Sequence, residues 1–166
     1  YLERFGGPLP VFLPEAVLMA VQPMQVEYDF EGFHAPIVQF QQTHVIYPGT
    51  VELAQPAVYS LIDFSQPVDS VFAWEGGIAV EKGGNFNALR FITKNVLAIV
   101  QEEANTIDWL NHYMTLPLAQ QIKVEAGDLL HVAFQYRAGG SIPSLQASIR
   151  TQVVNQRVTE QVHAYA

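Results

Sequence analysis

The chain has no cysteine, and that single absence removes disulfides, thiolate metal sites and cysteine nucleophiles together. Positive charge is scarce: 8 Lys and Arg stand against 16 Asp and Glu, for a formal net charge of -8. Duplex nucleic acid is a disfavoured partner, because such complexes draw most of their affinity from basic patches. Glu, Gln, Pro or Asp interrupts every hydrophobic stretch before it reaches the roughly 18 residues of a membrane-spanning helix. The opening Tyr1-Leu2-Glu3-Arg4 carries neither an initiator Met nor the basic-then-apolar pattern of a secretory signal. With cysteine absent as well, the expectation is a cytoplasmic fragment.

Several chemical signatures are also missing. No glycine-rich strand-to-helix turn of the phosphate-cradling type occurs, because Gly76-Gly77 and Gly83-Gly84 have neither the spacing nor a following helix. The five histidines, His34, His44, His112, His131 and His163, include no pair at ligand spacing, so no metal site is expected. No nucleophile elbow is present, and Ser60, Ser65 and Ser70 lie near turn signals. Asp63, Asp69 and Glu75 form an acidic stretch that reads as solvated loop acids rather than a catalytic carboxylate pair. No catalytic residue, cofactor site or metal site is therefore assigned to this chain.

What is present is apolar and short-ranged. Across 166 residues, 49% are hydrophobic, 11% aromatic and only 14% charged, enough for one sizeable core. Glu15 to Val21 is an apolar run bounded by Pro14 and Pro23 and reads as a buried strand. Residues 24 to 56 hold one strand within Ile37 to Ile46, between turn signals. Val58 to Phe64 alternates with period two. Val68 to Trp74 and Ile78 to Glu81 flank Glu75-Gly76-Gly77 as a hairpin would, and Lys82 to Asn85 closes the next turn. Asn87 to Glu102 fits a helix or a strand by periodicity, and its β-branched residues favour strand. Tyr113 to Leu118 and Ile122 to Val124 follow, then the turn Ala126-Gly127-Asp128. Leu129 to Arg137 comes next, with Leu130, Val132, Phe134 and Tyr136 facing the core, and Leu145 to Val154 reads as a half-buried last strand. This pattern predicts a mostly β protein, a single antiparallel barrel or distorted sandwich of about nine or ten strands with little helix.

The densest cluster of functional residue types is Thr106-Ile107-Asp108-Trp109-Leu110-Asn111-His112-Tyr113. A Trp, a carboxylate, an imidazole and a phenol beside a loop suit binding, since a carboxylate can grip a guanidinium and exposed aromatics can stack. Core anchoring by Trp109 and Tyr113 is the competing reading.

A Thr-and-Trp loop, a strand, a leucine-proline pair and a turn of the Ala-Gly-Asp type resemble the barrel of protein arginine methyltransferases. The matching residues are Thr106-Ile107-Asp108-Trp109, Tyr113-Met114-Thr115-Leu116-Pro117-Leu118 and Ile122-Lys123-Val124-Glu125-Ala126-Gly127-Asp128, with weaker counterparts in Leu13 to Ala20 and Leu61 to Phe64. The resemblance implies a two-part enzyme whose upstream Rossmann-like domain holds S-adenosylmethionine and the glutamates that grip the acceptor. This chain would be the noncatalytic, acceptor-binding barrel: residues 1–14 a lead-in, 15–155 the barrel and 156–166 a tail. Thr106, Asp108, Trp109, His112 and Tyr113 would face the substrate. Where the family loop has His, this sequence has Ile107-Asp108, so the acceptor stays open between a cationic peptide and a small molecule. Implied partners are that acceptor and the upstream domain, with an oligomer allowed and neither nucleic acid nor membrane. The acidic excess fits steering of a cationic acceptor or plain solubility. The alternatives are a stand-alone ligand- or protein-binding barrel or sandwich, and an independent hydrolase.

Overall fold

The computed structural model describes residues 7, 10–43, 45, 47–103 and 105–154. Most of the expected lead-in 1–14 and all of the expected tail 156–166 lie outside them, as do His44 and His163. The frame is a pair of long neighbouring strands, β1 (Ala16–Val26) and β8 (Gly84–Val100). They run antiparallel from Ala16 opposite Val96 to Met24 opposite Ala88. Both faces of β1 are buried along nearly its whole length, which is why it reads as an unbroken apolar run rather than an alternating one.

On the far edge of β1 lie β6 (Ala57–Asp63) and β5 (Thr50–Glu52). On the far edge of β8 lie β10 (Tyr113–Val124) and β9 (Asn105–Leu110). β4 (Gln39–Gln41) extends β10, completing a seven-stranded sheet. A three-stranded sheet, in the order β12 (Arg150–Val154), β11 (Leu129–Arg137), β7 (Val71–Ala79), packs on it. A two-residue pair, β2 (Asp29–Phe30) and β3 (Phe33–His34), stands apart. All these pairings are antiparallel, as expected for a mostly β barrel or sandwich. The strand count reaches twelve among the described residues once the short pieces β2 to β5 are included.

One continuous core joins the two sheets. Phe86, Leu89, Phe91 and Leu116 from the larger sheet meet Leu130, Val132 and Phe134 from the smaller one. The inward positions predicted for β11 are confirmed, with Leu130, Val132 and Phe134 buried and Tyr136 half-buried. Two helix-scale features interrupt the strands, a 3-10 turn at Gln101–Glu103 and a short helix, α1 (Ile142–Ser148).

Five local expectations are corrected. β1 does not stop before Pro23 but runs to Val26. The Pro23 carbonyl accepts from Leu53 N at 3.1 Å, so its missing N–H falls on the same side, in the gap between the β6 and β5 ladders. Gly76-Gly77 is not a turn: β7 passes straight through it, opposite Val132 and His131. A Cβ on Gly76 would collide with the Trp74 indole, so glycine there makes room for a ring two residues away. Leu145 to Val154 is not one strand. Ser141 caps α1 by accepting from Ser144 N, Pro143 lies in its first turn, and only Arg150–Val154 pairs with β11. Finally, Ser60 lies within β6 rather than near a turn, and residues 24–56 hold the end of β1 and four short strands instead of one.

Candidate functional site

The Thr106 to Tyr113 cluster is mostly strand rather than loop, on two strands that follow one another along the same edge of β8. Thr106, Asp108 and Trp109 lie on β9, Asn111-His112 is the connection, and Tyr113 begins β10. Because paired residues in an antiparallel sheet share a face, the register splits the cluster in two. Trp109 pairs with Asn95, which pairs with Val17, on the same face as the Thr93–Met19 pair. Asp108 pairs with Val96 on the opposite face, where Lys94 also lies.

Asp108 is already engaged there. Its Oδ2 accepts from Thr106 Oγ1 at 2.5 Å and meets Lys94 Nζ at 2.9 Å. The Lys94 ammonium, then the Thr106 hydroxyl, hold the carboxyl below the usual carboxylate range. Tyr113 also lies away from Trp109, with the Arg90 guanidinium 5.1 Å from its ring centroid. Trp109 is 45% exposed. Its Nε1 donates to Asn111 Oδ1 at 3.2 Å, an oxygen that also accepts from Asn95 Nδ2 at 3.0 Å. That shared acceptor fixes the indole to the connection.

Beside this edge lies a cavity of about 430 Å3 on the inner face of the larger sheet. His112 and Asn111 line it, as do Phe91 and Met114; the turn leading into α1 forms its other side. At its floor the Tyr59 and Tyr136 hydroxyls are 3.1 Å apart, and the Tyr136 hydroxyl also donates to Met19 Sδ at 3.6 Å. Tyr59 packs edge-on against Phe91, Phe134 and Tyr136, with centroids at 6.2, 5.1 and 6.5 Å. Burial raises the pKa of both phenols, so they stay protonated at neutral pH. Two hollows are larger, about 690 Å3 beside α1 and about 630 Å3 under the β2–β5 segment. Neither joins an aromatic floor to converging hydroxyls, so the smaller cavity is the candidate site.

The structure therefore brings His112 and Trp109 to the inner face and leaves Thr106, Asp108 and Tyr113 elsewhere. Sequence reasoning missed Met19, Tyr59, Phe91 and Tyr136 as cavity residues. Strand alternation could have aimed each one inward, but no local signal joins residues so far apart in the chain.

The opposite face of the larger sheet carries a buried polar row. Thr115 pairs with Arg90, and Arg90 with Gln22. The Arg90 guanidinium donates to Gln22 Oε1 at 3.2 Å, Glu52 Oε1 at 2.7 Å and Gln41 Oε1 at 3.4 Å. The row ties β1, β4, β5 and β8 together. Among the described residues, no group of three or more Asp, Glu or His is placed to hold a metal ion, and no helix is long and apolar enough to cross a membrane.

No protein-family model matches the sequence, and no curated protein matches it. A solved structure does share its fold: the Trypanosoma brucei PRMT1 enzyme-prozyme heterotetrameric complex with AdoHcy, at TM-score 0.56 and 10% identity. The match covers 79% of this chain and 49% of that one, so this chain spans about half the length of the neighbour.

Proposed function

We propose that this chain is the barrel half of an S-adenosylmethionine-dependent methyltransferase of the protein arginine methyltransferase type, and that its inner face forms one wall of the acceptor site. The carrying observation is the fold likeness, which takes in 79% of this chain but only 49% of the trypanosomal one. On this proposal the cofactor pocket belongs to an upstream domain, in keeping with a sequence that has no phosphate-cradling turn. In this reading Trp109 and His112 edge the acceptor cavity. Thr106 and Asp108, with Lys94, brace the β8–β9 pairing that presents them. The parent protein would work in the cytoplasm.

The test joins this chain to the segment encoded upstream of Tyr1. Calorimetry is expected to find S-adenosylmethionine binding in the joined protein and none in this chain alone. Trp109→Ala and His112→Ala should lower methyl transfer at least tenfold with cofactor affinity unchanged. Cofactor binding by this chain alone, or full transfer by both variants, would overturn the reading. The cavity also favours a second reading, a stand-alone small-ligand module, which predicts ligand binding with no upstream cofactor domain.

A further inference from the structure

We propose that the cavity on the inner face binds a neutral, planar aromatic small molecule carrying an N–H or O–H donor, rather than a peptide arginine. The claim deepens the acceptor-site reading in naming a substrate class, while the binding itself is a property of this chain.

Three observations carry it. The first is charge. Although the chain has 16 acidic residues, none of them lines this cavity among the described residues, whereas the cation Arg137 does. A guanidinium entering it would give up water for no carboxylate, and an unpaired buried charge is among the costliest arrangements in a protein. Asp108, the acid that the sequence offers as a cation holder, is on the other face and bound to Lys94.

The second is shape and surface. Phe91, Met114, Met19 and Leu145 line the cavity with Tyr59 and Tyr136, a wall suited to ring faces and edges. An apolar cavity of about 150 Å3 takes one benzene; a space of about 430 Å3 has room for two fused rings.

The third is the direction of hydrogen bonding on the floor. Tyr136 donates to Met19 Sδ, so the short contact between the hydroxyls is Tyr59 donating to Tyr136. Both protons are then used and oxygen lone pairs remain. The floor presents acceptors to a ligand, and a ligand donor completes it. Asn111 Oδ1, by contrast, is filled by Asn95 and Trp109.

The experiment titrates this chain, without methyl donor, with three probes followed by ligand-observed NMR and calorimetry: indole, benzofuran as its isostere lacking the donor, and Nα-acetyl-arginine methylamide. Indole is expected to bind about fivefold more tightly than benzofuran, the worth of one neutral hydrogen bond, with the arginine amide weakest. In Tyr136→Phe the preference should fall towards one. Equal or tighter binding of benzofuran, tighter binding of the arginine amide, or no binding by any probe would each overturn the proposal. The ranking is read on the unaltered chain, so it does not depend on the variant folding. Donor-selective indole binding in a chain whose joined upstream segment transfers no methyl group would keep this inference and reject the methyltransferase reading.

Discussion

Single side chains set the terms on which the outer face of the large sheet is buried. Arg90 is 6% exposed, and Glu52 is the one carboxylate bonded to it among the described residues. Removing a partner from a buried charge costs several kcal/mol, but the Glu52 carboxylate reaches water, which reduces the effect. Glu52→Ala is expected to lower stability by about 1–3 kcal/mol in urea unfolding, with Glu52→Gln losing less because it keeps a hydrogen-bond acceptor. A change within the error of the extrapolation would show that Gln22 and Gln41 suffice. Asp108 gives a pH test. Its folded pKa lies below the unfolded value of about 3.9, so its contribution is present above that value and is lost as pH falls through the folded pKa. Lys94→Met should move the Asp108 carboxyl titration upward towards the ordinary range, and Thr106→Val should do so less, as read by carbon-13 NMR. Unmoved titration would remove both named causes. The Lys94 pairing was not legible in sequence: Lys94 and Asp108 lie on different strands, and only the β8–β9 register, with Leu110 opposite Lys94 and Asp108 opposite Val96, sets them diagonally on one face.

Elements were more legible than their ends. β11 and β8 could be read from alternation and β-branched content, because each must present one face to a core. Gly76-Gly77 was misread because a glycine pair signals a turn by its backbone freedom, whereas here the missing Cβ clears space for Trp74. The two roles separate experimentally. Gly127 has φ +93°, and a Cβ placed on it would have no heavy atom within 4 Å, so Gly127→Ala meets only backbone strain, about 1–2 kcal/mol. Gly76→Ala meets the indole instead, and its cost should shrink in a Trp74→Ala background while that of Gly127→Ala does not. A double-mutant cycle in urea measures both; equal coupling of the two glycines to Trp74 would refute the distinction. Helix α1 was missed although Ser141 and Pro143 are an ordinary start signal. Alternation of Leu145, Ala147 and Ile149 with polar neighbours imitates a strand over so short a stretch.

At the scale of the whole molecule, the barrel-or-sandwich class followed from many short apolar stretches between turns, but the assembly did not. Which strands join which sheet depends on contacts between residues remote in sequence, such as Tyr59 with Tyr136, and a local pattern carries no record of them. The cavity is a product of that assembly: the large sheet supplies Phe91, Met114 and Tyr59, while Tyr136 arrives on the small one. If one core joins the sheets, they must unfold together. The two tryptophans provide the probe, since Trp74 lies on β7 of the small sheet and Trp109 on β9 of the large one. Trp74→Phe and Trp109→Phe leave one reporter each, and their urea transitions, compared with far-UV circular dichroism in each variant, should share a midpoint. Leu130→Ala, which truncates a fully buried side chain of that core, should cost about 2–5 kcal/mol and shift both reporters equally. A shift confined to Trp74 would mean that the small sheet opens by itself. The cavity floor would then separate at Tyr59 and Tyr136 before the large sheet unfolds, and ligand binding to it would fail at lower urea than the loss of β structure.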